Sequence, residues 1–441
     1  MTHASQASAT AHPSFSEALR FWLKLGFISF GGPTGQIAIM HTELVERKRW
    51  IGEERFLHAL NYCMLLPGPE AQQLAIYCGW LLHRTWGGLA AGILFVLPSA
   101  FILWGLSVVY VTYGGVPWIS AIFYGLKPAV LAIVATAVLR LGSKVLKNAV
   151  MWSLAVLAFV AIYFFAAPFP VIIVAAALIG YLGGLRWKNT FNVVKGHSAK
   201  PIGGHGAVID DTHAAPAHTK PSRSRAVRVL ALGLVLWWTP VLLVSLGRHD
   251  TLTQQGLFFS KAALVTFGGA YAVLPYVAQQ AVENYHWLTA PQMLDGLGLA
   301  ETTPGPLIMV LQFVGFLGGW NNPGALSPLL AATLGAALTT WVTFVPCFIW
   351  IFLGAPYLEQ LRNQTRLTCA LSAVTASVVG VVLNLAVWFG LHVVLPGAGR
   401  VDWFVVGVAV LAFVAMQRFK AGIIPVIFAC AGLGLLKYLA A

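Results

Sequence analysis

The residues best placed to do chemistry in this chain are a few charged side chains stranded in apolar sequence. Glu70 directly follows Pro67-Gly68-Pro69, and Glu301 stands three residues before Pro304-Gly305-Pro306, with Asp295 in the same run. Lys24 and Lys261 each lie six residues before a Phe-Gly-Gly, at Phe30-Gly31-Gly32 and Phe267-Gly268-Gly269, and Lys127 precedes Pro128 in a long apolar stretch. Ionisable groups at membrane depth are costly, so a functional role is their default reading. Glu70 and Glu301 suit proton carriage, or gating by pairing with a lysine or arginine; a structural ion pair is the plainer alternative. Lys24 and Lys261 suit attraction of an anion, or else snorkel to the interface. Gln72, Gln73, Thr302, Thr303 and Gln312 add groups able to hydrogen-bond an oxyanion.

The backbone around them explains why such groups would be useful there. Proline removes a donor and clashes with the preceding turn, so Pro-Gly-Pro in mid-run breaks a helix. Broken backbone at membrane depth is tolerated only against protein or a water-filled cavity. The half-helix that follows starts with unpaired N–H groups and a positive dipole end, which together favour an anion. Gly31, Gly32, Pro33, Pro67, Gly68, Pro69, Gly268, Gly269, Pro304, Gly305 and Pro306 are therefore candidate substrate-binding residues, with Gln73, Thr302, Thr303, Lys24 and Lys261. A packing kink is the competing reading.

These motifs come in two copies. Phe-Gly-Gly and Pro-Gly-Pro both recur at an offset of 237 (267 − 30 and 304 − 67). Lys24, Val45, Glu46, Trp50 and Leu60 match Lys261, Val282, Glu283, Trp287 and Leu297 with no gap. After Pro98 and Pro346 the offset becomes 248, so an insertion sits near Trp320-Asn321-Asn322-Pro323-Gly324. Trp50 and Trp287 suit an interfacial belt. The second copy has Ala270 where the first has Pro33.

Composition sets the class. The chain has 441 residues, 58% hydrophobic and only 9% charged, with mean hydropathy +0.78. A soluble domain carries about 25% charged residues, so this is a polytopic membrane protein. Its apolar runs are continuous rather than alternating, which favours helices over a β-barrel. The expected fold is all-α, two homologous repeats in inverted topology, with about 10–13 transmembrane segments that include broken or re-entrant helices. Six apolar segments, one extra and six more predict thirteen crossings, an odd count that turns the copies opposite ways. Arg47, Lys48 and Arg49 then fall on the wrong side for the positive-inside bias, unless the first segment is a re-entrant hairpin. Expected boundaries are a disordered leader at 1–14, a first repeat at 15–185, a cytoplasmic linker at 186–228, an extra helix at 229–250 and a second repeat at 251–441. The leader lacks the features of a cleaved signal.

The net charge of +13 reads as loop charge rather than as a nucleic-acid surface. Five cysteines in apolar runs read as small core residues. His197, His205, His213 and His218 lack zinc spacing, and no phosphate-binding nucleotide loop is present. No catalytic constellation, metal site or cofactor is expected, so the chain reads as a transporter and not an enzyme. A membrane-embedded lipid-processing enzyme would need an acidic cluster that is absent. An anion channel fits the repeats equally, and uphill accumulation separates it.

The motif set resembles the chromate ion transporter family in its long, two-domain form. The resemblance rests on Gly26-Phe27-Ile28-Ser29-Phe30-Gly31-Gly32-Pro33, Leu66-Pro67-Gly68-Pro69-Glu70-Ala71-Gln72-Gln73-Leu74, Phe267-Gly268-Gly269 and Glu301-Thr302-Thr303-Pro304-Gly305-Pro306. It implies a multi-pass protein of the bacterial inner membrane that exports chromate as a proton-coupled antiporter and confers chromate resistance. Sulfate, a tetrahedral dianion of nearly the same size, is the alternative substrate. Expected partners are chromate or sulfate, protons, membrane lipids and a second copy in a homodimer.

Overall fold

Glycine, proline and the thickness of a bilayer together decide where these helices stop. The computed structural model describes residues 11–30, 32–193, 207–209, 217–357, 365–395 and 400–440. Helix α1 (Phe15–Ile28) starts under the Ser14 hydroxyl, which accepts from the Glu17 N–H. Its 14 residues rise about 21 Å, short of a hydrocarbon core about 30 Å thick. After the Phe-Gly-Gly break come α2 (Gly32–His41) and a π-helical turn, Thr42–Arg47. The chain then returns to where it began. Lys48 Nζ lies 3.5 Å from Glu17 Oε1, and the Trp50 ring packs 5.5 Å from Phe21. This segment is a re-entrant hairpin, not a crossing, so Arg47, Lys48 and Arg49 sit on the same side as the start of α1.

The next segment repeats the manoeuvre. Helix α3 (Glu53–Cys63) leads to the Pro-Gly-Pro tip, and α4 (Glu70–Tyr113) leaves it. A straight helix of its 44 residues would run about 66 Å. It instead loses helical geometry at His83 and Arg84. There His83 Nε2 lies 3.0 Å from the Pro13 carbonyl oxygen, beside the start of α1. Residues 70–82 are thus the returning arm of a second hairpin, and the rest of α4 spans. Then follow α5 (Pro117–Val145), α6 (Ala149–Phe165), α7 (Phe169–Arg186), the short α8 (Lys188–Phe191) and the extra α9 (Arg223–Leu246).

The second copy is α10 (Asp250–Val265), α11 (Ala270–Gln279), a π turn at Gln280–Asn284, α12 (Ala290–Thr302), α13 (Val310–Asn321), α14 (Pro328–Gly354), α15 (Thr365–Val394), α16 (Trp403–Arg418) and α17 (Ile423–Ala440). Phe258 and Trp287, the counterparts of Phe21 and Trp50, again close the first hairpin at 5.7 Å. Asn321 Nδ2 donates to the Trp287 carbonyl at 2.8 Å and closes the second. The insertion after Gly319 lets α13 and α14 separate where α4 only bends.

Two expectations change. The count of thirteen crossings took both early segments of each copy as full spans. Among the described residues, seven helices are long and apolar enough to cross alone, and α6 and α16 are shorter apolar helices. The tryptophans are not belt anchors: Trp50 is 3% and Trp287 1% exposed, because each ring fills the gap a hairpin must close. The lipid-facing exterior is instead built from side chains such as Phe101, Leu157, Leu182 and Leu243.

Glycine lets helices approach closely: a Cβ on Gly125 of α5 would meet the Cys430 carbonyl of α17 at 2.3 Å. The described part of the linker is docked. Val208 N–H donates to the Arg49 carbonyl (3.0 Å) and Gly52 N–H to the Ile209 carbonyl (2.8 Å). The linker therefore lies on the side of Lys48. His197, His205 and His213 fall outside the described residues.

Candidate oxyanion site

Each Pro-Gly-Pro tip is hydrogen-bonded into the break of the other copy. Gly68 N–H donates to the Thr266 carbonyl at 2.7 Å, and Gly305 N–H donates to the Ser29 carbonyl at 2.8 Å. Both partners are related by the same offset of 237, so the two contacts are a reciprocal, self-complementary pair. Ser29 and Thr266 each turn their hydroxyl back onto α1 and α10, donating to Leu25 (2.6 Å) and Ala262 (2.7 Å) carbonyls. Gln36 Nε2 adds a donor to the Gly305 carbonyl at 2.6 Å, with no counterpart at Val273.

Only glycine fits the two tips. Gly68 has φ +118° and Gly305 φ +102°, a region side chains rarely adopt. A Cβ on Gly68 would meet Cys347 Sγ and Gln73 Nε2 at 2.9 Å, and one on Gly305 would meet Ser99 Cβ at 2.5 Å. Ser99 and Cys347 are the same position of the two copies at the later offset (347 − 99 = 248). Each follows the proline inside its long helix, Pro98 or Pro346. Their signal was present in that proline pair, but sequence reasoning passed over the residue after it.

The surroundings are polar and incompletely paired. Among the described residues the buried Gln72 has no partner for either side-chain polar atom, and Gln73 Oε1, Ser99 Oγ and Gln312 Oε1 also lack one. Gln73 Nε2 donates to the Pro67 carbonyl (2.7 Å) and Gln312 Nε2 to the Ala100 carbonyl (2.8 Å). Buried polar atoms are nearly always paired in folded proteins, so this cluster can accommodate a polar guest. The first N–H groups of α4 and α11, and of the turn at Leu307–Met309, start without an intrahelical acceptor and add donors.

Two of the carboxylates are held by tyrosines. Glu301 Oε1 accepts from Tyr271 Oη, and Asp295 Oδ2 accepts from Tyr110 Oη at 2.8 Å. None of Glu70, Asp295 and Glu301 belongs to an ion pair found among the described residues. The cations whose charge acts on them all come from α5: Lys144 on Glu70, Arg140 on Glu301 and Lys127 on Asp295. The sequence showed these cations but could not show that one helix presents them to three separate carboxylates.

Other expected residues stand elsewhere or are otherwise engaged. Lys24 and Lys261 are exposed on the outer faces of α1 and α10, beside exposed Leu23 and Phe27, and Leu257 and Leu264. The structure does not bring them to the tips. Gly31 lies outside the described residues; Gly32 and Pro33 are half-buried at the start of α2. Gly268 and Gly269 have φ +80° and +91° and make the second break. Pro67 is half-buried, while Pro69, Pro304 and Pro306 are buried at the tips. Thr302 and Thr303 donate to their own helix, at the Leu299 (2.8 Å) and Ala300 (3.1 Å) carbonyls. Either must rotate to donate to an anion.

The two copies are not packed alike. Helix α11 packs on α15 and α12 on α5, while the matching pairs, α2 with α5 and α3 with α15, make at most glancing contact. Thr34 and Ala38 of α2 are accordingly exposed, whereas Pro275, the counterpart of Ala38, is buried. Helix α2 leads toward Lys48 and α5 ends past Arg140 and Lys144, and between these two helices contact is at most glancing.

Comparisons with known proteins bear on what this arrangement serves. The family model described as Chromate transporter matches residues 16–181 and 253–435. The chain is 28% identical over 438 residues to a protein named Chromate transport protein from Cupriavidus metallidurans, covering 98% of this chain and 96% of that one. It is 30% identical over 451 residues to a Chromate transport protein from Pseudomonas aeruginosa, covering 99% and 96%. A Probable chromate transport protein from Synechococcus elongatus is 29% identical over 383 residues, 86% of each chain. No solved structure matches the chain. With its apolar spanning helices it is a multi-pass protein of the bacterial inner membrane. The two matched regions cover both copies of the repeat, and the chain belongs to the chromate transporter family.

Proposed function

We propose that the chain is a secondary transporter, not an enzyme, that exports chromate across the inner membrane in a process coupled to the proton gradient. The reciprocal bonding of Gly68 to Thr266 and of Gly305 to Ser29 carries this reading. It brings anion-suited helix breaks of both copies to the ends of their hairpins, where broken backbone can meet a substrate. Glu70 and Glu301 are the proton carriers, and the tips with Gln72, Gln73 and Ser99 form the oxyanion contacts.

The copies are read as inverted in the membrane. Four hairpins add no crossings, which leaves nine and keeps the count odd. Lys48, Arg84, Arg140, Lys144, Arg186, Arg223, Arg366 and Arg418 then face the cytoplasm with the linker. Loops 113–117, 166–168 and 320–328 face outward without Lys or Arg, as the positive-inside bias requires; Arg248, Arg400 and Lys437 are exceptions. In this frame the glancing contact between α2 and α5 faces the cytoplasm. Exchange of the two packings, with α2 and α3 closing as α11 and α12 release, would expose the site to the other side. Two inequivalent packings of equivalent parts suit alternation between states.

Sulfate is the second substrate reading, because backbone N–H and amide groups recognise charge and shape that the two tetrahedral dianions share. The test is uptake of labelled chromate into everted membrane vesicles, with sulfate as competitor and a protonophore. Accumulation that the protonophore abolishes supports the reading. Faster movement of sulfate reverses the substrate assignment, accumulation indifferent to the protonophore removes the coupling, and flux without accumulation makes the protein a channel.

A further inference from the structure

Lys127 and Asp295 have no place in the reading above, yet the helices that carry them, α5 and α12, pack on each other. Lys127 is half-buried in mid-α5, immediately before Pro128. Asp295 is buried on α12, 5% exposed; Oδ2 accepts from Tyr110 Oη, while Oδ1 has no partner among the described residues. One contact fixes the two helices around this pair, and two more place Tyr110. A Cβ on Gly298, three residues after Asp295, would stand 3.4 Å from Leu126 and Val130, which flank Lys127. The Tyr110 ring lies edge-on to Phe123 of α5 at 4.8 Å and to Phe313 of α13 at 5.3 Å. Lys127 is thus close enough for its charge to reach Asp295, but no ion pair within 4.0 Å closes them.

The repeat says where Lys127 belongs. Its counterpart is Thr375 (375 − 127 = 248), and a Cβ on Gly268 would stand 3.9 Å from Thr375 Cγ2. The equivalent position thus abuts the Phe-Gly-Gly break of its own copy. In the first copy that position holds the cation, on a helix that makes at most glancing contact with α2.

We propose that Lys127 is the cation that receives the oxyanion, and that Asp295, held by Tyr110, takes up a proton when the anion replaces it as the counter-ion of Lys127. This deepens the reading of the chain as a proton-coupled oxyanion transporter and rests on it. A buried carboxylate beside an arriving dianion loses its only cation to a competitor of the same sign, and protonation removes the repulsion. One proton passes from water to Asp295, and no bond within the anion forms or breaks. Tyr110 of α4 and Lys127 of α5 are the groups acting on Asp295 among the described residues. Binding of anion and proton at this station are therefore linked, and each favours the other.

The experiment is binding of labelled chromate to the purified full-length protein across alkaline pH values at which the anion stays a dianion. Wild type should lose affinity as pH rises, by up to about tenfold per unit for one linked proton. Asp295→Asn should bind at least as tightly with a flat profile. Lys127→Gln should bind at least about tenfold more weakly, and Lys127→Arg should restore binding. An Asp295→Asn variant that keeps the wild-type slope, or a Lys127→Gln variant that binds normally, overturns the proposal. The two readings fail separately. Wild type that shows the linkage but is not driven by a proton gradient in vesicles keeps this station and removes the coupling. Driven transport with an unchanged Asp295→Asn slope removes the station alone.

Discussion

Replacing Gly305 by alanine tests the tips directly. At φ +102° an L side chain costs about 1–3 kcal/mol of backbone strain. The new Cβ would also stand 2.5 Å from Ser99 Cβ and 3.8 Å from Ser99 Cα. Ser99 is buried in α4 and its Cβ cannot rotate away, so the helix must shift. Overpacking of this kind costs about 1–3 kcal/mol, for a total near 2–6 kcal/mol. Gly68→Ala meets only the ends of Cys347 and Gln73, at 2.9 Å, and these can move. It should pay the strain alone, about 1–3 kcal/mol. If the cost falls on the state that transports, Gly305→Ala should slow chromate uptake at least about thirtyfold and Gly68→Ala less, at 1.4 kcal/mol per factor of ten. Adding Ser99→Gly to Gly305→Ala removes the clash but not the strain, so it should recover part of the loss. Uptake in vesicles and thermal unfolding in detergent, normalised to folded protein, report both effects. A Gly305→Ala protein with wild-type rate and thermal midpoint, or a double variant no better than the single, would refute the reasoning.

Glu70→Gln and Glu301→Gln should each abolish proton-driven chromate accumulation in everted vesicles; full activity in both removes them as proton carriers. Ala38→Cys should react with a membrane-impermeant thiol reagent added from the cytoplasmic side, and Ala272→Cys should not. The five native cysteines are buried and free, so background is low, and labelling of Ala38→Cys solely from outside would reverse the proposed orientation. Trp50→Ala and Trp287→Ala should each destabilise the folded protein by about 3–5 kcal/mol, read as a lowered unfolding midpoint. Shifts no larger than those of exposed Trp86→Ala would return them to the interface.

The asymmetry between copies gives the repeat a use beyond duplication. A perfectly symmetric pair would open both faces or neither. Here equal parts are packed unequally: Pro275 is covered and Ala38 is not. The difference traces to residues where the copies diverge. Tyr271 reaches Glu301 where the first copy has Thr34, and Lys127 stands where the second has Thr375.

By itself the sequence determined the class, the duplication and the residues that break helices. Each of these is local: a charged fraction too low for a water-facing surface, an offset that can be counted, and prolines that cannot stay in a helix. It also marked Glu70, Asp295 and Glu301, because carboxylates in apolar runs stand out. Tertiary structure decided what local pattern cannot encode. A half-helix and a crossing share the same hydrophobicity, so only the Glu17–Lys48 and Phe21–Trp50 closures turned segments into hairpins. The pairing of Gly68 with Thr266 spans nearly half the chain, and no periodicity announces it. The same is true of the lysines. Lys24 lies near the motif in sequence but faces outward because the helical turn places it there, while Lys127, distant in sequence, stands on the helix that packs against that of Asp295.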